Sequence, residues 1–266
     1  MNEGSAFTCV DIGVNLTHPS LVRHLDDVLQ AAKDAGVVGL VAIGCDLAGS
    51  RKAAALAADH PDFVVATAGV HPHDAKSCDD TTLPALRTLL AQERVRAMGE
   101  CGLDFNRDFS PRPVQERWFE AQVELACELG LPLYLHERDA HARMLAILSR
   151  HRARFEKAVI HCFTGTKEEL FATLDLDLHI GITGWLCDER RGRHLQELVA
   201  EIPVERLMVE TDSPFLAPRD LRPRARHNEP KNTPHILATV ARLRGEEVRE
   251  LAPRVLETTR RFWGAF

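Results

Sequence analysis

Four side chains able to hold a metal ion close four short apolar runs: Glu100 ends RAMGE, His136 ends LPLYLH, His161 ends AVIH and Asp212 ends LMVETD. They lie 36, 25 and 51 residues apart. One carboxylate with two imidazoles leaves positions open for water and substrate, as catalytic metals require, and a further carboxylate can take a proton from that water or complete the shell. Each residue alone reads equally well as a satisfied polar group at a strand end, but four together are hard to reach by chance. His71 and His73, in GVHPHD, end another apolar run and could position a phosphate or a leaving group. A helix cap at Asp74 or simple loop packing is the plain alternative for that pair.

Residues so far apart converge only if a repeating fold brings them together. Apolar, β-branched runs alternate with helix-period segments along the whole chain, the signature of βα units and a parallel sheet. Eight strands are predicted, over 8–14, 37–43, 63–70, 95–98, 132–135, 158–160, 179–182 and 207–209. The unit length of about 33 residues suits a strand with its return helix. Leu21, Leu25, Val28 and Leu29 fall at helical spacing before Gly36, and Pro113 opens a long segment stopped by Gly130. No linker interrupts the pattern, so the expectation is a single α/β domain over 1–266, a (β/α)8 TIM barrel with its site at the C-terminal strand ends. Those ends are Asn15, Cys45, His71, Glu100, His136, His161, Thr183 and Asp212.

The 266 residues are 45% hydrophobic and 27% charged, which excludes a disordered chain. The longest apolar run, 37–45, is too short and too glycine-broken to span a membrane, and the first eight residues lack the features of a secretion signal. Seven scattered cysteines without a C-x-x-C pair read as reduced thiols. A cytoplasmic monomer without membrane contact is therefore expected. The net charge of −6 argues on its face against a polyanionic partner, but positive charge gathers in two loops. The loop after the eighth strand sets Arg219, Arg222, Arg224, Arg226 and Lys231 against Asp220 and Glu229; the loop after the seventh carries Arg190, Arg191 and Arg193 against Asp188 and Glu189.

The motifs DIGVNLT from Asp11, GVHPHD from Gly69, GECGLDFNR from Gly99, LHERDAH from Leu135, IHCFTGT from Ile160, GITGWLCDERRG from Gly181 and ETDSPFLAPRDL from Glu210 resemble the TatD family of metal-dependent deoxyribonucleases, nearly from end to end. The resemblance implies a TIM barrel with a divalent metal on Glu100, His136 and His161, and Asp212 as further ligand or base. It also implies phosphodiester hydrolysis, a magnesium-dependent 3′ to 5′ exonuclease activity on single-stranded DNA and RNA, and a part in repair of oxidative DNA damage. One departure matters. Many members end the first strand in His-x-His, where this chain has Gly13 and Asn15. Glycine cannot ligate and a neutral amide is a weak ligand, so one firmly held metal is expected and a second site is doubtful. Two imidazoles favour zinc or manganese, whereas phosphate substrates and the resemblance favour magnesium.

On a phosphodiester, Asp212 would accept the proton of the attacking water, with His71 or His73 near the departing oxygen. Arg190, Arg191, Arg219 and Arg222 would meet phosphates, and Trp185 and Phe105 could stack on unpaired bases, with loop packing the alternative for the aromatics. Two other readings remain: a metal-dependent hydrolase of another bond, such as an aminoacyl ester on tRNA, and a catalytically weak barrel kept for nucleic-acid binding.

Overall fold

A computed structural model describes residues 7–223 and 226–266; Arg224 lies outside them. The eight strands are β1 (Cys9–Val14), β2 (Val37–Ala42), β3 (Val64–Ala68), β4 (Val95–Asp104), β5 (Leu133–Arg138), β6 (Ala158–Ile160), β7 (His179–Ile182) and β8 (Leu207–Val209). They form one sheet in sequence order, and a parallel bridge from Val14 to Ser213 sets the last strand's end beside the first. This is a (β/α)8 TIM barrel, as the alternating pattern implies. Its strands are buried almost throughout, which is why they read as continuous apolar runs and not as alternating ones.

The chain falls into two compact units, one comprising the residues up to Val41, Cys162–Thr164 and Ile180–Phe266, the other Ala42–His161 and Gly165–His179. In the second, β3 to β6 pair in parallel, with Gly102 opposite His136 and Asp104 opposite Arg138 across β4 and β5. In the first, β7 pairs with β8, and the Asn15 amide donates to the Ser213 carbonyl at 2.8 Å while that of Asp212 donates to Gly13 at 2.9 Å.

Most expected strand ends hold to within two residues, but β4 and β5 run on to Asp104 and Arg138. Glu100 and His136 therefore sit within strands instead of closing them. Two glycines let β4 continue so close to β5. Gly99 (φ 150°) and Gly102 (φ 153°) adopt backbone angles that side chains rarely allow, and a Cβ on them would stand 2.2 Å from the Tyr134 carbonyl and 1.9 Å from that of His136. The helix Arg112–Leu129 ends where Gly130 turns left-handed (φ 66°), as its sequence suggests.

Candidate active site

In the second unit, three imidazoles converge on one carboxylate oxygen. His161 Nε2 lies 2.8 Å from Glu100 Oε1, His136 Nδ1 3.0 Å and His71 Nε2 3.4 Å. Backbone pairing sets up this meeting: the amides of His71 and Glu100 donate to the carbonyls of Cys45 and Gly44, and that of His161 donates to Leu135. The buried Tyr134 ring stacks on His161 with centroids 4.8 Å apart and fixes its plane. The Cys45 thiol donates to the other Glu100 oxygen at 3.4 Å.

Burial would raise the Glu100 carboxyl, but His161, His71 and the hydrogen bonds from His136 and His161 outweigh it and hold the group well below the usual carboxylate range. Burial, helped by His136, pushes His71 down to about 4, so that ring is neutral at ordinary pH. A carboxylate oxygen has only two lone pairs for three ring nitrogens, a crowding that a cation among them relieves. His71, Glu100 and His136 place one potential ligand atom each within 4.8 Å of one another. His71 is nonetheless the weaker ligand of this set. Its Nδ1 accepts the His73 backbone N–H at 3.1 Å, so the neutral ring carries its proton on Nε2 and offers Glu100 a donor, not a lone pair.

Asp104, which the sequence reading passed over, extends the cluster. Its Oδ2 lies 2.7 Å from His73 Nε2 and 3.4 Å from His136 Nε2, and its Oδ1 accepts the amides of Asn106 and Arg107. Burial is outweighed by the bonds from His136, Arg107 and His73, and the carboxyl is held far below its ordinary value. Asp104 follows Glu100 by four residues, so both face the same side of an extended strand. A strand predicted to stop at 98 hides that signal. Two buried glutamines on the helix Arg112–Leu129 brace the backbone beneath. Gln122 pairs with both the amide and the carbonyl of Val70, next to His71, and Gln115 does the same for Asp104. At seven residues apart they share one helix face, and their polarity disguises them in an apolar pattern.

In the first unit, Asn15 Nδ2 donates to Asp212 Oδ1 at 3.0 Å and to the Ser213 carbonyl at 3.2 Å. Its amide thus orients the Asp212 carboxylate. Beneath this pair Asp11 is wholly buried, taking the Gly13 and Thr211 amides on Oδ1 and facing the Thr211 and Thr233 hydroxyls with Oδ2. The same unit holds a cleft of about 610 Å³ whose walls include His18, Trp185, Asp188, Arg191, Phe215 and Arg219. The Arg191 guanidinium lies 6.0 Å from the Trp185 ring centre, and Arg219 pairs with Asp188 at 3.6 Å.

Of the expected substrate residues, Trp185, Arg191 and Arg219 line this cleft. Arg190 instead reaches toward Asp188 with its side chain largely exposed, Arg222 donates to the Arg219 and Leu221 carbonyls, and Phe105 lies under the Arg112 guanidinium. Phe215, which is half exposed and edge-on to His18 at 5.6 Å, lines the cleft where Phe105 does not. The loop charge is also more compensated than a count suggests, because Lys231 pairs with Glu229 and Asp220 faces His235.

The family model for TatD-related DNases matches residues 10–264. The chain belongs to that family. It is 49% identical over 256 residues to a Pantoea ananatis protein named 3′-5′ ssDNA/RNA exonuclease TatD, covering 96% of this chain and 98% of the relative. It is 50% identical to the protein of the same name from Klebsiella pneumoniae, covering 96% and 97%. Among solved TatD structures, the Escherichia coli K12 homologue YjjV superposes with a TM-score of 0.88 at 26% identity, covering 96% of this chain and 97% of that one. The hydrolase TatD family protein of Entamoeba histolytica does so with a TM-score of 0.89 at 25% identity, covering 98% and 100%.

Proposed function

We propose that this TatD-family hydrolase is a 3′ to 5′ exonuclease that removes nucleotides from single-stranded DNA and RNA with one divalent ion at Glu100, His136 and His161. The observation that carries this is the ionised Glu100 carboxylate facing three imidazoles, one of them neutral at ordinary pH. Relatives of about 50% identity bearing the exonuclease name support the substrate and polarity. The bound ion would polarise a phosphate oxygen and acidify water. Asp212, oriented by Asn15, accepts the water proton; His71 keeps Glu100 charged by donating to it; His73, held by Asp104, donates toward the departing oxygen. Trp185 and Phe215 stack on unpaired bases while Arg191 and Arg219 meet phosphates.

Magnesium is the assigned ion because oxygen-rich phosphate substrates suit a hard cation, with manganese and zinc as the competitors. Seven free cysteines support a reducing, cytoplasmic compartment. Among the described residues the exposed large apolar side chains are few, namely Val22, Phe109, Phe171 and Phe215, which supports a monomer. One family model running over residues 10–264 supports one catalytic domain. The part in oxidative-damage repair rests on the family resemblance. Oligonucleotides labelled at either end, incubated with magnesium, manganese or zinc beside a chelator control, test the reading. Stepwise loss from the 3′ end is expected; release of an amino acid from aminoacyl-tRNA without shortening, or binding without cleavage, overturns it.

A further inference from the structure

Away from Glu100 and within the first unit, the Sγ of Cys187, a carboxylate oxygen of Asp220 and a ring nitrogen of His235 lie within 4.8 Å of one another. They come from three stretches: the turn Gly184–Cys187 after β7, the loop after β8, and the first turn of the helix Thr233–Arg244. His235 Nε2 stands 3.0 Å from both Asp220 oxygens, and the Cys187 thiol is 3.8 Å from Thr239 Oγ1, one turn along from His235. Cys187 is buried while Asp220 and His235 reach solvent, so an ion has a way in.

We propose that Cys187, Asp220 and His235 form a second metal site, selective for a thiophilic ion of the zinc class, that latches the loop after β8 to the turn after β7 and to the following helix. Zinc bonds of about 2.0 to 2.3 Å at tetrahedral angles put ligand atoms roughly 3.3 to 3.8 Å apart, so the three need move only about 1 Å to close on an ion. A thiolate, an imidazole and a carboxylate suit zinc, whereas magnesium seeks oxygen ligands alone.

The position gives the site a consequence. Cys187 precedes Asp188 and Asp220 follows Arg219, and these two neighbours form an ion pair in the wall of the 610 Å³ cleft. An ion joining Cys187 to Asp220 therefore clamps the chain beside that pair, and its effect falls on how the cleft holds a ligand.

Cobalt(II) titrated into the metal-free full-length protein reads the site directly, because thiolate bonding to cobalt gives a near-ultraviolet charge-transfer absorption. One equivalent should produce that band. Zinc should bleach it, and a large excess of magnesium should not. The band should survive in Cys45→Ser, which removes the thiol next to Glu100, and in Glu100→Gln. It should vanish in Cys187→Ser, and cobalt affinity should fall at least about tenfold in Asp220→Asn and His235→Ala. Asp220 is a solvent-exposed residue, so Asp220→Asn tests the site even if the cysteine variant fails to fold. No band in the wild type, a band that persists in Cys187→Ser, or unchanged affinity in Asp220→Asn overturns the proposal and leaves only a His235–Asp220 hydrogen bond.

Discussion

Asp11 lies beneath the backbone that carries Asn15 and Asp212, and burial pushes its carboxyl from the ordinary 3.8 up to about 7 despite bonds from Thr211, Gly13 and Thr233. The hydrogen-bond pattern agrees with a neutral group. Thr233 has one hydroxyl proton but two candidate acceptors, Asp11 Oδ2 at 2.9 Å and the Pro230 carbonyl at 2.7 Å. A proton on Oδ2 resolves the conflict by donating to Thr233 Oγ1. Because the folded value lies above the unfolded one, the stabilisation is complete below pH 3.8 and is lost as pH rises through about 7. The whole gap corresponds to about 4 kcal/mol, of which about 3 kcal/mol falls between pH 5 and pH 8. Asp11→Asn keeps the acceptor for the Gly13 and Thr211 amides and supplies a permanent donor to the hydroxyls, so its own cost does not vary with pH. Urea unfolding followed by circular dichroism, with chelator present to keep metal loading out of the comparison, should show the wild type losing about 3 kcal/mol relative to Asp11→Asn between these pH values. A difference that stays constant would refute the neutral buried carboxyl.

Asp212→Asn should retain the melting temperature while turnover of a labelled oligonucleotide drops at least about 100-fold, and near-normal turnover would remove Asp212 from proton transfer. Glu100→Gln should abolish both turnover and magnesium binding by calorimetry, since a neutral amide cannot serve three imidazoles and an ion; two tight magnesium sites in the wild type would contradict the single-ion reading. Trp185→Ala and Phe215→Ala should each weaken binding of a single strand by about 1 to 3 kcal/mol, visible in KM with kcat nearly unchanged, and equal losses on a mononucleotide ester would argue against stacking. Gln122→Ala strands the Val70 amide and carbonyl, so thermal unfolding should reveal a loss of about 1 to 3 kcal/mol, with weaker metal binding through displacement of His71.

Periodicity and apolar runs were enough to reveal eight βα units, because a strand covered on both faces must be apolar throughout and its return helix must repeat at helical spacing. The type and position of Glu100, His136, His161 and Asp212 were legible for the same reason: an ionisable residue at the end of an apolar run stands out. Partnership was not legible, because it depends on register. Only the pairing of β4 with β5, made close by Gly99 and Gly102, carries the strand on to Asp104 and brings that carboxylate to His73 and His136. Likewise the sequence points to Phe105 for stacking, and only packing puts it under Arg112 and sets Phe215 in the cleft wall instead. The tautomer of His71, the buried braces Gln115 and Gln122, and the meeting of Cys187, Asp220 and His235 depend on contacts a few ångströms long between residues up to 52 positions apart. The sequence by itself determined the barrel and the donor types at its rim; tertiary structure decided which nitrogen faces which oxygen, because hydrogen bonds and metal bonds depend on distance and direction that residue spacing does not encode.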